Sequence, residues 1–398
     1  MKKNYWTVLA PAFCLLFMVA GCDIQIGDWS QAKYERTVEC KAPLPAGSCL
    51  VAGTSLGSIT VTGADVTDCS VVAEITGRAS TEEEAQELAE QVEITLETVG
   101  DTMTVKADKP STKHNRSINI SYTITVPKQT HLECASSYGA IKLSGISGNV
   151  SAKTSSGSIT VENIEGSADL DTSYGAVKCR NISGNHLAVR TSSGTITAEG
   201  IRGPAELNTS YGSITCNGFS AGDIKLKSSS GTLKLTNASF GDCNAHTAYG
   251  SIDAEELEGD SIKLHSDSGG IHVTDASADT ADLSTSYGRI TCRQITAKEL
   301  TARSGSGNLD IACSDAAPPD ITATLVTSYG SIDFTAPPGF AGQVDLSTSY
   351  GSVRTDRPIT ISGEISKKKL KGTIGEGTGK LHLQTSSGSI NLKRKTAN

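Results

Sequence analysis

The chain has 398 residues, a formal net charge of −8, only 5% aromatic residues and 40 glycines. Such a mix suits many thin, repeated layers better than one bulky globular core. The acidic balance argues against nucleic acid and against an anionic lipid surface as partners.

The first 21 residues read as an export signal: Lys2 and Lys3, then an apolar stretch from Val8 to Ala20. It is too short for a stable membrane span. Its end, Val19-Ala20-Gly21-Cys22, resembles the lipobox of bacterial lipoproteins. That resemblance implies cleavage before Cys22, a lipid on its sulfur, and attachment to a membrane of the cell envelope, facing the periplasm or the surface. Asp23 then resembles an inner-membrane retention signal of enteric bacteria. An ordinary secretory signal is the other reading. Removing Lys2 and Lys3 takes the formal charge from −8 to −10.

Residues 22–33 read as a tether, and residues 34–127 as a β-rich region with one helix over about 81–92. Ser80 is placed to cap that helix, and Glu83 completes a capping box. Ala85, Leu88, Ala89 and Val92 share one face. This region is placed to cover the near end of the C-terminal repeats, because an open end of stacked strands invites aggregation. Cys40 and Cys49 are close enough in an exported chain to suggest one disulfide.

From 128 to 398 a repeat takes over. Its anchor glycines are 139, 157, 175, 194, 212, 231, 250, 269, 288, 307, 330, 351 and 388. Nine successive steps are 18 or 19 residues long, followed by steps of 23, 21 and 37. Two places after each glycine stands an Ile, Val or Leu without exception, from Ile141 to Ile390. Further apolar columns lie four and seven places after it and five before, with Ser, Thr, Lys, Asp or Glu between. This is period-two alternation at a fixed long period. It predicts an all-β fold, a parallel, right-handed β-helix or β-solenoid with 18–19-residue coils. The glycine is expected at a corner, for a positive φ or a close approach between coils. Cys134, Cys179, Cys216 and Cys292 occupy core columns and read as buried thiols. Pro318-Pro319 and Pro337-Pro338 mark small loops. Between Gly351 and Gly388 one coil reads as missing or degenerate, with Lys367-Lys368-Lys369 and Gly372 to Gly379 in a loop or polar edge element near the C-terminal end, and the coil of Gly388 reads as the one that closes the stack.

The lipobox, the Glu-rich helix before a strand ending Val126-Pro127, the iterated Ser-x-Gly-x-Ile coils and the Gly-rich stretch before Thr385-Ser386-Ser387-Gly388-Ser389-Ile390 resemble one family. It is the "putative adhesin" family of bacterial β-helical proteins, a domain of unknown function, and the likeness runs from about Val51 to Leu392. The resemblance implies the solenoid and an envelope location. It implies no catalytic residues.

The residue before the glycine alternates: Tyr138, Ser156, Tyr174, Ser193, Tyr211, Ser230, Tyr249, Ser268, Tyr287, Ser306. The alternation breaks in sequence at Tyr329 and Tyr350. Parity with the positions five and seven before the glycine points these side chains inward, as large and small spacers at the corner. If they point outward instead, Tyr138, Tyr174, Tyr211, Tyr249 and Tyr287 form a row suited to an envelope polysaccharide. The Thr and Ser just before them read as hydroxyl ladders between coils.

No nucleophile has a repeated base beside it. Asp253, Asp310 and Asp333 share a column but read as several coils apart, and the seven His as sharing none; His246 and His265 read as out of register. No Cys/His spacing suggests a metal. The sequence thus points away from an enzyme and from any cofactor. It favours a lipid-anchored envelope solenoid that presents a repetitive surface for adhesion or binding. A scaffold that recruits protein partners is the second reading, and a polysaccharide-active enzyme the third.

Overall fold

The computed structural model describes residues 13–17, 32–112, 115–362 and 366–395. Cys22, and most of the expected signal and tether, lie outside the described residues. The chain divides into two compact units, Met1–Gly194 and Thr195–Asn398. Both are β-solenoids with coils of about 19 residues.

In the first unit, two parallel ladders rise through the coils. One stacks Ile59, Ile141, Ile159 and Val177 in register. The other stacks Leu50, Leu132, Val150, Ala168 and Leu187. All of these are buried. Each coil's apolar residues are covered by the same positions of the coils above and below, which no single repeat could achieve.

Both ladders continue past the first coil. Thr102–Val105 adds in parallel to Cys49–Ala52, and Tyr122–Pro127 adds in parallel to Ile59–Ala64. Pairing then switches to antiparallel. Glu93–Val99 lies on Thr102–Asp108, Asp68–Ala79 on Ser117–Pro127, and Ala32–Pro43 on Asp68–Ala79. Phe13–Phe17 adds a further antiparallel strand at Thr37–Lys41.

The helix Glu82–Glu90 buries Ala85, Leu88 and Ala89 against the strands Asp68–Ala79 and Ala32–Pro43. Its cap lies one residue later than the sequence suggested. Thr81, with extended backbone, accepts the Glu84 N–H on its hydroxyl, and Ser80 precedes it. Glu83 hydrogen bonds within this first turn, which lowers its pKa. The suggested Cys40–Cys49 bridge is not made. The Cys40 thiol donates to the Ile94 carbonyl at 3.4 Å instead.

In the second unit, one ladder stacks Ile214, Leu233, Ile252, Ile271, Ile290, Leu309 and Ile332 in chain order. The order then departs from the sequence. Ile332 pairs with Ile390, and Ile390 pairs with Val353. On the other ladder Leu325 pairs with Leu383, and Leu383 with Leu346. The coil of Gly388 therefore inserts between those of Gly330 and Gly351. The stretch between Gly351 and Gly388 holds an edge element, as expected, but the last coil in sequence does not close the stack. The outer side of Gly342–Ser347 is instead covered by Lys369–Ile374, which runs antiparallel and also pairs with Thr360–Ile361. A covered, antiparallel end withholds the ladder edge from other chains.

The coils turn in two ways. At the anchor glycine the backbones of successive coils nearly touch: a Cβ on Gly175 would lie 1.8 Å from the Gly157 carbonyl oxygen. Close approach, rather than positive φ, is what excludes a side chain there. The positive φ lies six residues further on. In the first unit Gly145, Asn163 and Asn181 take it; in the second, Gly200, Gly218, Asn237, Glu256, Asp275 and Gln294 do. Gly and Asn tolerate this left-handed turn best. It shifts the strand's parity, so the residue seven after the glycine faces inward like those two and four after it.

Candidate functional site

Each anchor corner is built around a buried hydroxyl three residues before the glycine. Thr172 Oγ1 accepts the Gly175 N–H at 3.2 Å and donates to the Gly157 carbonyl, one coil back, at 3.0 Å. Thr247 links Gly250 and Gly231 in the same manner, at 3.1 and 3.0 Å. The ladder expected among hydroxyls thus runs from side chain to backbone, and it satisfies polar groups that the close approach takes from water. It also tracks the spatial coil order: Thr385 donates to the Gly330 carbonyl and Thr348 to that of Gly388, both at 2.8 Å.

Pinning this hydroxyl inward makes the chain bend immediately after it. The next two residues both lie outside the bend, and the glycine returns to the interior in coils such as those of Gly175 and Gly250. Strand parity does not survive the bend, so the inward reading of the tyrosines is overturned. Tyr138 and Tyr174 in the first unit are exposed, and so are Tyr211, Tyr249, Tyr287, Tyr329 and Tyr350 in the second. Each keeps between 68% and 77% of its surface in contact with solvent. The serines that alternate with them are exposed too, Ser156 in the first unit and Ser230, Ser268 and Ser306 in the second.

The tyrosines of the second unit therefore form one column with a serine coil between each pair. Adjacent coils sit about 4.8 Å apart, so successive rings are about 9.6 Å apart. Small residues border the column. Ser210 and Ser229 precede it, and Ser213, Thr232 and Ser251 come after it. Asp267, beside Ser268, and Arg289, beside Gly288, interrupt these rows with charge. At the end of the column, Lys368 Nζ lies 5.6 Å from the centroid of the Tyr350 ring. Tyr329 and Tyr350 were absent from the expected row because their coils are not consecutive in space.

Two constellations that the sequence pattern did not join are brought together. His246 and His265 are in register on adjacent coils, both four residues before their glycines. Their rings meet edge to face with centroids 4.9 Å apart. His265 Nδ1 lies 2.8 Å from Ser284 Oγ, and its Nε2 lies 2.9 Å from Asp267 Oδ1. Burial, then His265, push the His246 pKa down; Asp267 opposes this and Lys227 adds to it. The common offset from the glycine was the available signal. Asp310 and Asp333 also sit in register on neighbouring coils rather than several apart. Lys393 Nζ at 2.8 Å and Asn391 Nδ2 at 3.0 Å both contact Asp333 Oδ1. That ion pair satisfies the carboxylate and holds Lys393 charged, its pKa raised by this hydrogen bond. The arrangement is a structural clasp, not a general acid with a base.

The core cysteines are buried as expected. Burial pushes Cys134 and Cys179 up to about 12, and Cys69, Cys243 and Cys313 to the same range. Such thiols carry no thiolate at neutral pH and are inert.

Among the described residues, no helix is long and apolar enough to cross a membrane. No curated protein matches the chain. Solved structures with a related outline include a "putative cell adhesion protein" from Clostridium sporogenes, 10% identical, covering 90% of this chain and 100% of that one, with a TM-score of 0.18. A "putative adhesin" from Bacteroides fragilis is 14% identical over 90% of this chain and 97% of that one, TM-score 0.24. A "putative lipid binding protein" from Parabacteroides distasonis is 15% identical over 76% and 97%, TM-score 0.25. Scores this low carry nothing about function. The family model described as Toastrack DUF4097 matches residues 54–240 and again 214–393, which together span most of the chain, so the protein belongs to the DUF4097 Toastrack family.

Proposed function

We propose that this protein is a non-catalytic binding protein of the bacterial cell envelope, held to a membrane by lipid on Cys22, whose tyrosine columns take an extended polysaccharide. The observation that carries the reading is the exposure of Tyr211, Tyr249, Tyr287, Tyr329 and Tyr350 at the same corner position. A monomeric soluble protein seldom leaves large side chains in a repeated exposed array without a use for them. Tyr combines a flat apolar face with a hydroxyl and loses little conformational entropy on binding. A spacing of about 9.6 Å matches the repeat of an extended disaccharide to within the flexibility of the rings. Rows of serine and threonine on either side supply hydrogen-bond partners for sugar hydroxyls.

Among the described residues no tyrosine or serine of the column hydrogen-bonds an imidazole or a carboxylate, which favours binding over cleavage, although Ser284 meets His265 beside it at 2.8 Å. A glycan array probed with the purified full-length protein tests the ligand class. Binding to extended polysaccharides, with no release of reducing ends, supports the reading; no glycan signal together with a co-purifying protein favours the scaffold alternative. Incorporation of labelled fatty acid, lost in Cys22→Ser, tests the anchor.

A further inference from the structure

The second unit carries a cluster that the tyrosine columns do not use. We propose that His246, His265 and Asp267 form a site for a divalent transition-metal cation such as Zn²⁺. His246 and His265 lie three residues before the column and Asp267 directly beside its Ser268, so the cluster borders the proposed polysaccharide surface and uses none of its rings.

The coil repeat itself assembles the site. His246 and His265 occupy one position of adjacent coils, so the ladder fixes their separation. Asp267 lies two residues after His265, on the outer side of the same bend. One ligand atom from each of the three lies within 4.8 Å of the others. Donors around a tetrahedral zinc ion lie about 3.3 Å apart, given bonds of about 2.0–2.2 Å. Rotations of half-exposed side chains cover that difference, with the backbone unchanged.

One of the two tautomers of His265 suits a cation. When Nδ1–H donates to Ser284 Oγ, the Nε2 lone pair faces Asp267 Oδ1 at 2.9 Å. Two acceptors then converge on one point, which a proton or a metal ion must occupy. The Ser284 contact orients the ring, as outer partners of metal-binding histidines do, and its hydroxyl accepts from the Nδ1–H tautomer that leaves Nε2 open to a metal. Two imidazoles and one carboxylate suit Zn²⁺, Ni²⁺ or Cu²⁺ rather than Ca²⁺ or Mg²⁺. Three protein ligands leave at least one coordination position to water or to a donor from another molecule. Lys227, in register with His246 on the preceding coil, places a positive charge at one side of the cluster and tempers the affinity.

The test is isothermal titration of chelator-stripped full-length protein with Zn²⁺. The expected result is one saturable equivalent per chain, weakened at least tenfold by His246→Ala or by His265→Ala and several-fold by Asp267→Asn. His186→Ala, outside the cluster, leaves binding unchanged. Zn²⁺ raises the melting temperature of the wild type but not of the His246→Ala/His265→Ala double variant. Absence of saturable binding to the wild type, or a double variant that binds Zn²⁺ as tightly as the wild type, overturns the proposal.

Discussion

Tyr329 and Tyr350 belong to consecutive coils in the sequence, yet Ser387 stands between them, paired in register with each. The Tyr–Ser alternation that breaks in sequence is thereby intact in space. Replacing Ser387 and either tyrosine with cysteine tests this order. Corners of adjacent coils are about 4.8 Å apart, within the range a disulfide spans. Oxidation should crosslink Ser387→Cys with Tyr329→Cys and with Tyr350→Cys. The Tyr329→Cys/Tyr350→Cys pair, two coils apart, should stay reduced.

The corner glycines should tolerate nothing larger. A Cβ on Gly175 meets the Gly157 carbonyl at 1.8 Å, and the clash is with backbone that cannot rotate away. Gly175→Ala should cost about 2 kcal/mol or more. Tyr174→Ser, one residue earlier but exposed, should stay within about 0.5 kcal/mol of the wild type. Urea unfolding of the two variants side by side makes the comparison.

Thr247→Val keeps the shape and removes the hydroxyl. It leaves the Gly250 N–H and the Gly231 carbonyl without their buried partner. The expected loss is about 2–4 kcal/mol, because each orphaned group carries a desolvation penalty. Thr247→Ser should recover most of it, since Ser266 fills the same place in the next coil.

Glu256 holds a φ of 54° where six other coils use Gly or Asn, and two use Asp275 and Gln294. Glu256→Asn should stabilise the fold by up to about 1 kcal/mol. An unchanged or lower midpoint in chemical denaturation would count against strain at this turn.

Stability should fall in alkali. The buried thiol of Cys179 is raised from its ordinary value near 9 to about 12. Below pH 9 both folded and unfolded chains keep the proton. Above it only the unfolded chain releases it, so stability declines as pH rises, by up to about 1.4 kcal/mol per pH unit for this thiol. Cys179→Val, matching Val161 in the preceding coil, should make the decline between pH 8 and pH 10 shallower, the other buried thiols keeping the rest.

Columns aligned on the glycine carried most of the architecture, because stacking repeats one environment at one position. The core from Ile141 to Ile390, the buried thiols and the close glycine corner were all legible that way. Three things were not. Outward Tyr249 stood only as the second reading because parity was carried through a bend that ends the strand. The insertion of the Gly388 coil was hidden because an edge element within a step of 37 residues, here the antiparallel Lys369–Ile374, does not show where the chain rejoins the stack. The one-residue shift of the helix cap reflects two adjacent hydroxyl residues, Ser80 and Thr81, either of which fits the pattern. The His246–His265 pair, by contrast, was present in the columns and needed only the same count.

The central claim, that the tyrosine column is a polysaccharide platform, rests most directly on one measurement: the affinity of the Tyr249→Ser/Tyr287→Ser variant for the best glycan ligand of the wild type. Both rings are solvent-exposed, so the melting temperature should hold within a degree or two. The account predicts a loss of affinity of at least tenfold at that unchanged melt, since each stacked ring contributes on the order of 1 kcal/mol. Undiminished binding, or a collapse of the fold that explains the loss, would contradict it.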